Sequence, residues 1–170
     1  ILRNHSYWIS CDIAAEKGAF PRFEVDKYLS GKFIKSLPTK IRDKIRESGI
    51  RNVAINTQAP TGTTSIIAKV SSGIEPIFSP VYERTFWSTT EKGESIQKTE
   101  IVADDLFIKW AEEGKDISHF EGSHNIAPEW HLAIQEAAQR YIDNSISKTI
   151  NLPNSYSENE LSDLLLKYMP

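Results

Sequence analysis

Residues 59–78 read Ala59-Pro60-Thr61-Gly62-Thr63-Thr64-Ser65-Ile66-Ile67-Ala68-Lys69-Val70-Ser71-Ser72-Gly73-Ile74-Glu75-Pro76-Ile77-Phe78. Ahead of them, Asn52-Val53-Ala54-Ile55-Asn56-Thr57 has the alternation and β-branched content of a strand. Behind the hydroxyl cluster, Ser65 to Val70 reads as the start of a short apolar helix. A strand, a small-residue turn and a helix start, in that order, form a backbone able to grip an anion. The first amides of a helix lack internal partners, its dipole adds partial positive charge, and Gly62 leaves room for close approach. The same wording also suits a plain helix cap, because Ser and Thr oxygens accept from those orphan amides. It is not the lysine-bearing phosphate loop, since no lysine follows the threonine pair.

Around this stretch the chain reads as one unit. Its 170 residues suffice for a single domain with a core, and no repeat, low-complexity tract or linker divides residues 1–170. A net charge of −3 excludes an extended basic face, so nucleic acid is not an expected partner. No apolar run reaches the roughly 18 residues of a membrane span and no signal peptide opens the chain, so no membrane partner is expected and the cytoplasm is the expected location. One cysteine, Cys11, permits no internal disulfide.

Helices are expected over His5–Glu16, with Trp8, Ile9, Ile13 and Ala14 on the apolar face, and over Pro38–Ser48, stopped by Gly49. Ile77–Phe86 reads as extended, Glu91–Ile101 as a polar loop or hairpin arm, and Ala103–Glu113 as a helix. Pro128–Asn144 is the strongest helix, with Trp130, Ile134, Ala137, Ala138 and Tyr141 in one stripe. Lys148–Leu152 reads as a short strand, and Ser157 with Glu160 as a capping box opening a helix over Glu158–Tyr168 that still runs at Met169 and Pro170. Alternating strands and helices predict an α/β fold with parallel strands.

Other chemistry-bearing residues have plainer readings. Cys11 lies on a helix and suits a buried small hydrophobe. His5, His119, His124 and His131 lack ligand spacing and read as surface or capping residues, so no metal site is expected. Glu75, between a glycine turn and a proline, reads as a strut ordering that turn. Lys148 suits either a contact to a phosphate or a cofactor side chain, or an exposed strand position. Trp8, Phe20, Phe23, Trp110 and Trp130 fall at core positions rather than on a base-stacking platform.

Several of these motifs together resemble the catalytic chain of ribonucleotide reductase, specifically the adenosylcobalamin-dependent class. They are Glu16-Lys17-Gly18-Ala19-Phe20-Pro21-Arg22-Phe23, Gly49-Ile50-Arg51-Asn52, Ala59-Pro60-Thr61-Gly62-Thr63 with Ser65, Val70-Ser71-Ser72-Gly73-Ile74-Glu75-Pro76-Ile77-Phe78, Ile126-Ala127-Pro128-Glu129-Trp130-His131 and Asp143-Asn144-Ser145-Ile146-Ser147-Lys148-Thr149-Ile150-Asn151-Leu152-Pro153. The resemblance implies the C-terminal part of the family's ten-stranded α/β barrel, hence a fragment whose partners are the remainder of that barrel and a ribonucleotide. A cut barrel leaves strand edges that also allow self-pairing into a homo-oligomer.

By the same resemblance Pro60, Thr61, Gly62, Thr63, Thr64 and Ser65 hold the substrate's diphosphate, while the radical cysteine lies outside these residues. No catalytic residue is therefore assigned here, and the piece alone is expected to be inactive. Asn56, Gln58 and Thr64 depart from the family's usual wording. The alternatives are a non-catalytic phosphate-binding or structural module of the same fold, or a piece of the oxygen-dependent reductase.

Overall fold

The computed structural model describes residues 1–168; the expectation for Met169 and Pro170 lies outside them. The chain forms two compact units, one of residues 1–59 and 134–147, the other of 60–133 and 148 onward.

The first unit is helical. It contains α1 (Leu2–Lys17), α2 (Val25–Leu29), α3 (Lys32–Lys35) and α4 (Thr39–Ser48). Tyr7, Cys11, Ile34, Leu37, Ile41, Ile45 and Ile50 make its buried core, and Trp8, Phe20, Phe23 and Phe33 pack against it. The buried face of α1 is Tyr7, Ser10, Cys11 and Ala14, rotated from the expected one: Ile9 is exposed and Trp8 and Ile13 half-buried. A polar match decides the rotation. The Ser10 hydroxyl donates to Asn52 Oδ1 at 2.9 Å and its carbonyl accepts from Arg51 N at 3.1 Å, so a serine can take an interior position. Gly49 stops α4 with φ 73°, and a Cβ there would come within 2.8 Å of Ala19 Cβ. Only glycine meets both demands.

The expected strand over Asn52–Thr57 does not form. Its amides go to a carboxylate instead: Asp143 accepts from Ile55 N at 2.8 Å, Asn56 N at 2.7 Å and the Tyr7 hydroxyl at 2.5 Å. What remains of parallel pairing is one bridge, Gln58 with Ile146.

The second unit contains α5 (Gly62–Ala68), β1 (Val81–Thr89), β2 (Ser95–Ala103), α6 (Asp105–Glu112), a 3₁₀ turn at Ser123–Asn125 and α8 (Glu158–Tyr168). Helix α7 (Pro128–Gln139) contains the division between the units. The sheet corrects the parallel expectation: β1 and β2 are an antiparallel hairpin pairing Val81 with Ala103 and Thr89 with Ser95. Of the two readings of Glu91–Ile101, the hairpin arm is the one that forms. Asp104 caps α6 by accepting from Leu106 N at 3.0 Å and Phe107 N at 3.1 Å. The Ser157–Glu160 box closes as expected, with Ser157 N donating to Glu160 Oε2 at 2.7 Å.

Lys148–Leu152 is no strand either, because the Thr149 amide is taken by the Glu75 carboxylate at 2.6 Å. Helix α7 ends at Gln139, short of the expected Asn144, and the expected apolar stripe faces outward: Trp130 and Ile134 on α7 and Tyr141 just past its end are exposed, while Pro128, His131 and Leu132 are the buried positions. Trp130 thereby leaves the expected aromatic core, while Trp8, Phe20, Phe23 and Trp110 are half-buried.

Candidate functional site

Helix α5 sits between two left-handed residues, neither of them glycine. Thr61 (φ 54°, ψ 27°) precedes it and Lys69 (φ 54°, ψ 47°) follows it. For a residue carrying a Cβ this conformation costs about 1–2 kcal/mol, and for a β-branched threonine it is a true outlier. A specific bond holds Thr61 there: its hydroxyl oxygen accepts from Gly73 N at 2.8 Å.

The sequence places the need for glycine one residue too late. Gly62 has no left-handed φ, and a Cβ built on it meets nothing within 4 Å. The backbone does not require glycine there; only an approaching group could.

The hydroxyls also differ from expectation. Thr64 Oγ1 donates back to the Thr61 carbonyl at 3.1 Å, and Ser65 Oγ to the Gly62 carbonyl at 2.7 Å. Those two donors are spent inside the turn, and Ser65 is buried. Pro60, Thr61, Gly62, Thr63 and Thr64 are exposed. Among the described residues the amides of Gly62, Thr63 and Thr64 take no backbone partner, while Ser65 N bonds the Thr61 carbonyl at 2.9 Å. An exposed surface of three amides and the Thr61 and Thr63 hydroxyls can receive anionic oxygens.

Behind the loop lies a buried polar cluster. Glu75 Oε2 pairs with Lys148 Nζ, whose side chain is 1% exposed. Lys148 Nζ also donates to His131 Nδ1 at 2.8 Å and to the Thr149 carbonyl. Lys148 therefore does neither thing expected of it: it is no exposed strand residue, and its three donors are all engaged internally. Glu75 is the expected strut. Its carboxylate ties the turn after α5 to the backbone at Thr149, and breaking such a buried pair costs about 3–5 kcal/mol.

His131 corrects the surface reading of the histidines. It is 1% exposed, whereas His5, His119 and His124 lie on the surface. Burial first, and the Lys148 charge second, hold its imidazole below the ordinary histidine value. The ring is neutral with Nδ1 as acceptor, so Nε2 carries the proton. Ser123 backbone lies close enough to favour that proton, yet among the described residues Nε2 completes no hydrogen bond. Its spacing from Pro128 and Leu132, three back and one on, is the signal that put His131 on the inner face.

Cys11 is fully buried in the first unit, and burial pushes its thiol up, away from the reactive thiolate. Among the described residues no three His, Cys, Asp or Glu side chains converge as metal ligands, and no helix is long and apolar enough to cross a membrane.

Residues 1–168 match the family model described as the barrel domain of ribonucleotide reductase. A vitamin B12-dependent ribonucleoside-diphosphate reductase from Mycobacterium tuberculosis (strain CDC 1551 / Oshkosh) is 31% identical over 168 residues, 89% of this chain and 22% of that protein. The enzyme of the same name from Thermoplasma acidophilum is 30% identical, covering 95% of this chain and 21% of its own length. A ribonucleoside-diphosphate reductase subunit alpha from Mycoplasma pneumoniae is 25% identical, over 93% and 24%. The chain thus spans about a fifth of the length of these relatives. With the model matched along nearly its whole length, the chain belongs to the ribonucleotide reductase barrel-domain family.

Proposed function

We propose that these residues are part of the ten-stranded catalytic barrel of a cytoplasmic ribonucleoside-diphosphate reductase, and that residues 60–65 hold the diphosphate of its ribonucleotide substrate. The observation that carries this reading is Thr61, kept in a costly left-handed conformation by Gly73 N at the mouth of a helix whose first amides are unpaired. Strain of this kind persists only where the surroundings impose it, and it clusters at ligand-binding turns. Gripping the diphosphate fixes where the ribose lies. Orientation of that kind contributes several kcal/mol to lowering a barrier. The reaction replaces the ribose 2′-hydroxyl by hydrogen at a cysteine thiyl radical. Cys11, buried and paired with no second cysteine, is not that group, so the piece alone is inactive.

The relatives at 30–31% identity are named as vitamin B12-dependent, which favours adenosylcobalamin over an oxygen-dependent radical source for the whole enzyme. When bound, that cofactor supplies the radical. The cavity in the first unit, about 430 Å³ and lined by the bonded Tyr7–Asp143 pair, is smaller than a corrin, and we assign the cofactor no contact there. The outward apolar side chains Ile66, Ile67 and Trp130 suit burial against the rest of the reductase.

The test is deoxyribonucleotide formation by the full-length reductase bearing this sequence. Activity should require adenosylcobalamin and no second subunit. Dependence on a metal-bearing subunit would move it to the oxygen-dependent class, and turnover by residues 1–170 alone would overturn the assignment of a positioning role.

A further inference from the structure

We propose that Lys148 is a positioning residue for the phosphate loop, acting through Glu75. The proposal rests on the reading of residues 60–65 as the diphosphate site. Three observations carry it. Lys148 is a lysine with a 1% exposed side chain and every donor engaged: on Glu75 Oε2, on His131 Nδ1 and on the Thr149 carbonyl. Glu75 spends its other oxygen on Thr149 N at 2.6 Å, so its carboxylate is clamped from two sides. Two residues earlier in the same turn, Gly73 N donates to the Thr61 hydroxyl oxygen at 2.8 Å, and that bond holds the left-handed residue at the mouth of α5.

The clamp and the loop are thus linked by a stretch of backbone only two residues long, itself ordered by Glu75 N bonding the Ser72 carbonyl at 2.9 Å. A chain of bonds runs from the buried ammonium to the residue that aims the free amides. His131 completes the clamp from α7. Its Nδ1 can accept from Lys148 only while the ring is neutral, and burial keeps it so. A lysine serving only stability has no need to act on the turn that holds the loop. One that does act there must show its removal in substrate affinity.

Removing the ammonium leaves Glu75 as a half-buried carboxylate with one backbone donor. Charge without a partner in that place drives the turn toward solvent, and Gly73 N moves with it. Besides the Thr149 amide, the charged or titratable groups bonded to Glu75 among the described residues are Lys148 directly and His131 one bond beyond, and neither is a second cation that could replace the lost one. The defect is therefore one of charge. Protonating Glu75, or replacing it by a neutral isostere, relieves it.

The experiment is Lys148→Met in the full-length reductase, beside the double variant Lys148→Met/Glu75→Gln. Steady-state kinetics are measured, with equilibrium binding of a nucleoside diphosphate and of the matching nucleoside. The single variant should raise KM for the nucleoside diphosphate about tenfold or more. It should leave kcat and nucleoside affinity essentially unchanged. The double variant, which strands no charge, should recover most of the lost affinity.

Should Lys148→Met fail to fold, Lys148→Gln, which removes the charge but keeps a donor beside Glu75, still reports: a rise in KM for the nucleoside diphosphate with unchanged nucleoside affinity supports the proposal, and wild-type KM overturns it. A fall in kcat at unchanged KM, or equal losses for nucleotide and nucleoside, also overturns it. If Gly62→Ala selectively weakens diphosphate binding while Lys148→Met does not, this proposal falls and the reading of the loop stands. If neither is selective, both fall.

Discussion

Replacing Gly62 by alanine separates the needs of the fold from those of the ligand. The fold does not need glycine there: the residue lies outside the left-handed region and a Cβ meets nothing within 4 Å. It is also the first residue of α5, where alanine reduces the freedom of the unfolded chain and should stabilise by about 0.4–1 kcal/mol. The ligand meets the opposite effect. Helical Cα–Cβ bonds tilt toward the N-terminus, so the new methyl stands where an anion would reach the amides of Gly62, Thr63 and Thr64. Weakening one charge-assisted bond there costs about 1.5–3 kcal/mol, roughly a tenfold to hundredfold loss of affinity. The assay is calorimetric binding of a nucleoside diphosphate and of its nucleoside to the full-length reductase, with a urea unfolding curve beside it. Equal or higher stability with a diphosphate-selective loss is expected. Unchanged diphosphate affinity, or an equal loss for the nucleoside, would show that the turn is only a helix cap.

Three further outcomes follow from bonds already described. Thr61→Ala keeps the left-handed strain but loses the bond to Gly73 N, so it should destabilise by about 0.5–1.5 kcal/mol; Thr61→Gly also relieves the strain, about 1–2 kcal/mol, and should unfold at or above the wild-type urea midpoint. Burial raises the phenol of Tyr28 to about 12, and burial together with the Asp143 bond raises that of Tyr7 further. Both fold in protonated form, so their stabilisation is whole below the ordinary tyrosine value of 10.0 and is lost as pH rises through the folded values. Absorbance titration should therefore show Tyr7 and Tyr28 ionising only with alkaline unfolding. Cys11, buried with a raised thiol pKa, should react with a thiol reagent only when the protein unfolds; rapid labelling of the native protein would contradict its placement in the core.

Helices and caps were legible because their signals are local. Gly49 ends α4 and the Ser157–Glu160 box opens α8. The two failed strands had local signals as well, alternation and β-branched residues, but their amides are claimed from afar. Asp143 takes those of Ile55 and Asn56, and Glu75 takes that of Thr149. No window of sequence shows a carboxylate arriving from more than seventy residues away. The turn at 60–65 was legible as a turn, and Glu75 as its strut. Which residue bears the strain was not, because Thr61 adopts a glycine-like conformation only through its bond to Gly73. The exposed stripe of α7 misled for a related reason: periodicity gives the apolar face, and only the packing partner says which side is inner.

The first unit is assembled from two stretches of chain, and this sets a timetable for its synthesis. Residues 1–59 leave the ribosome well before 134–147 do, and at about 5–20 residues per second the intervening segment takes roughly 4–15 s to translate. Through that interval the Tyr7 hydroxyl and the amides of Ile55 and Asn56 have only water for company, because Asp143 has not yet been made. The nascent helices α1 and α4 can dock at once on Ile41, Ile45 and Cys11, which are all present. Closure of the unit then comes as a single late event, when one aspartate arrives and collects three waiting donors.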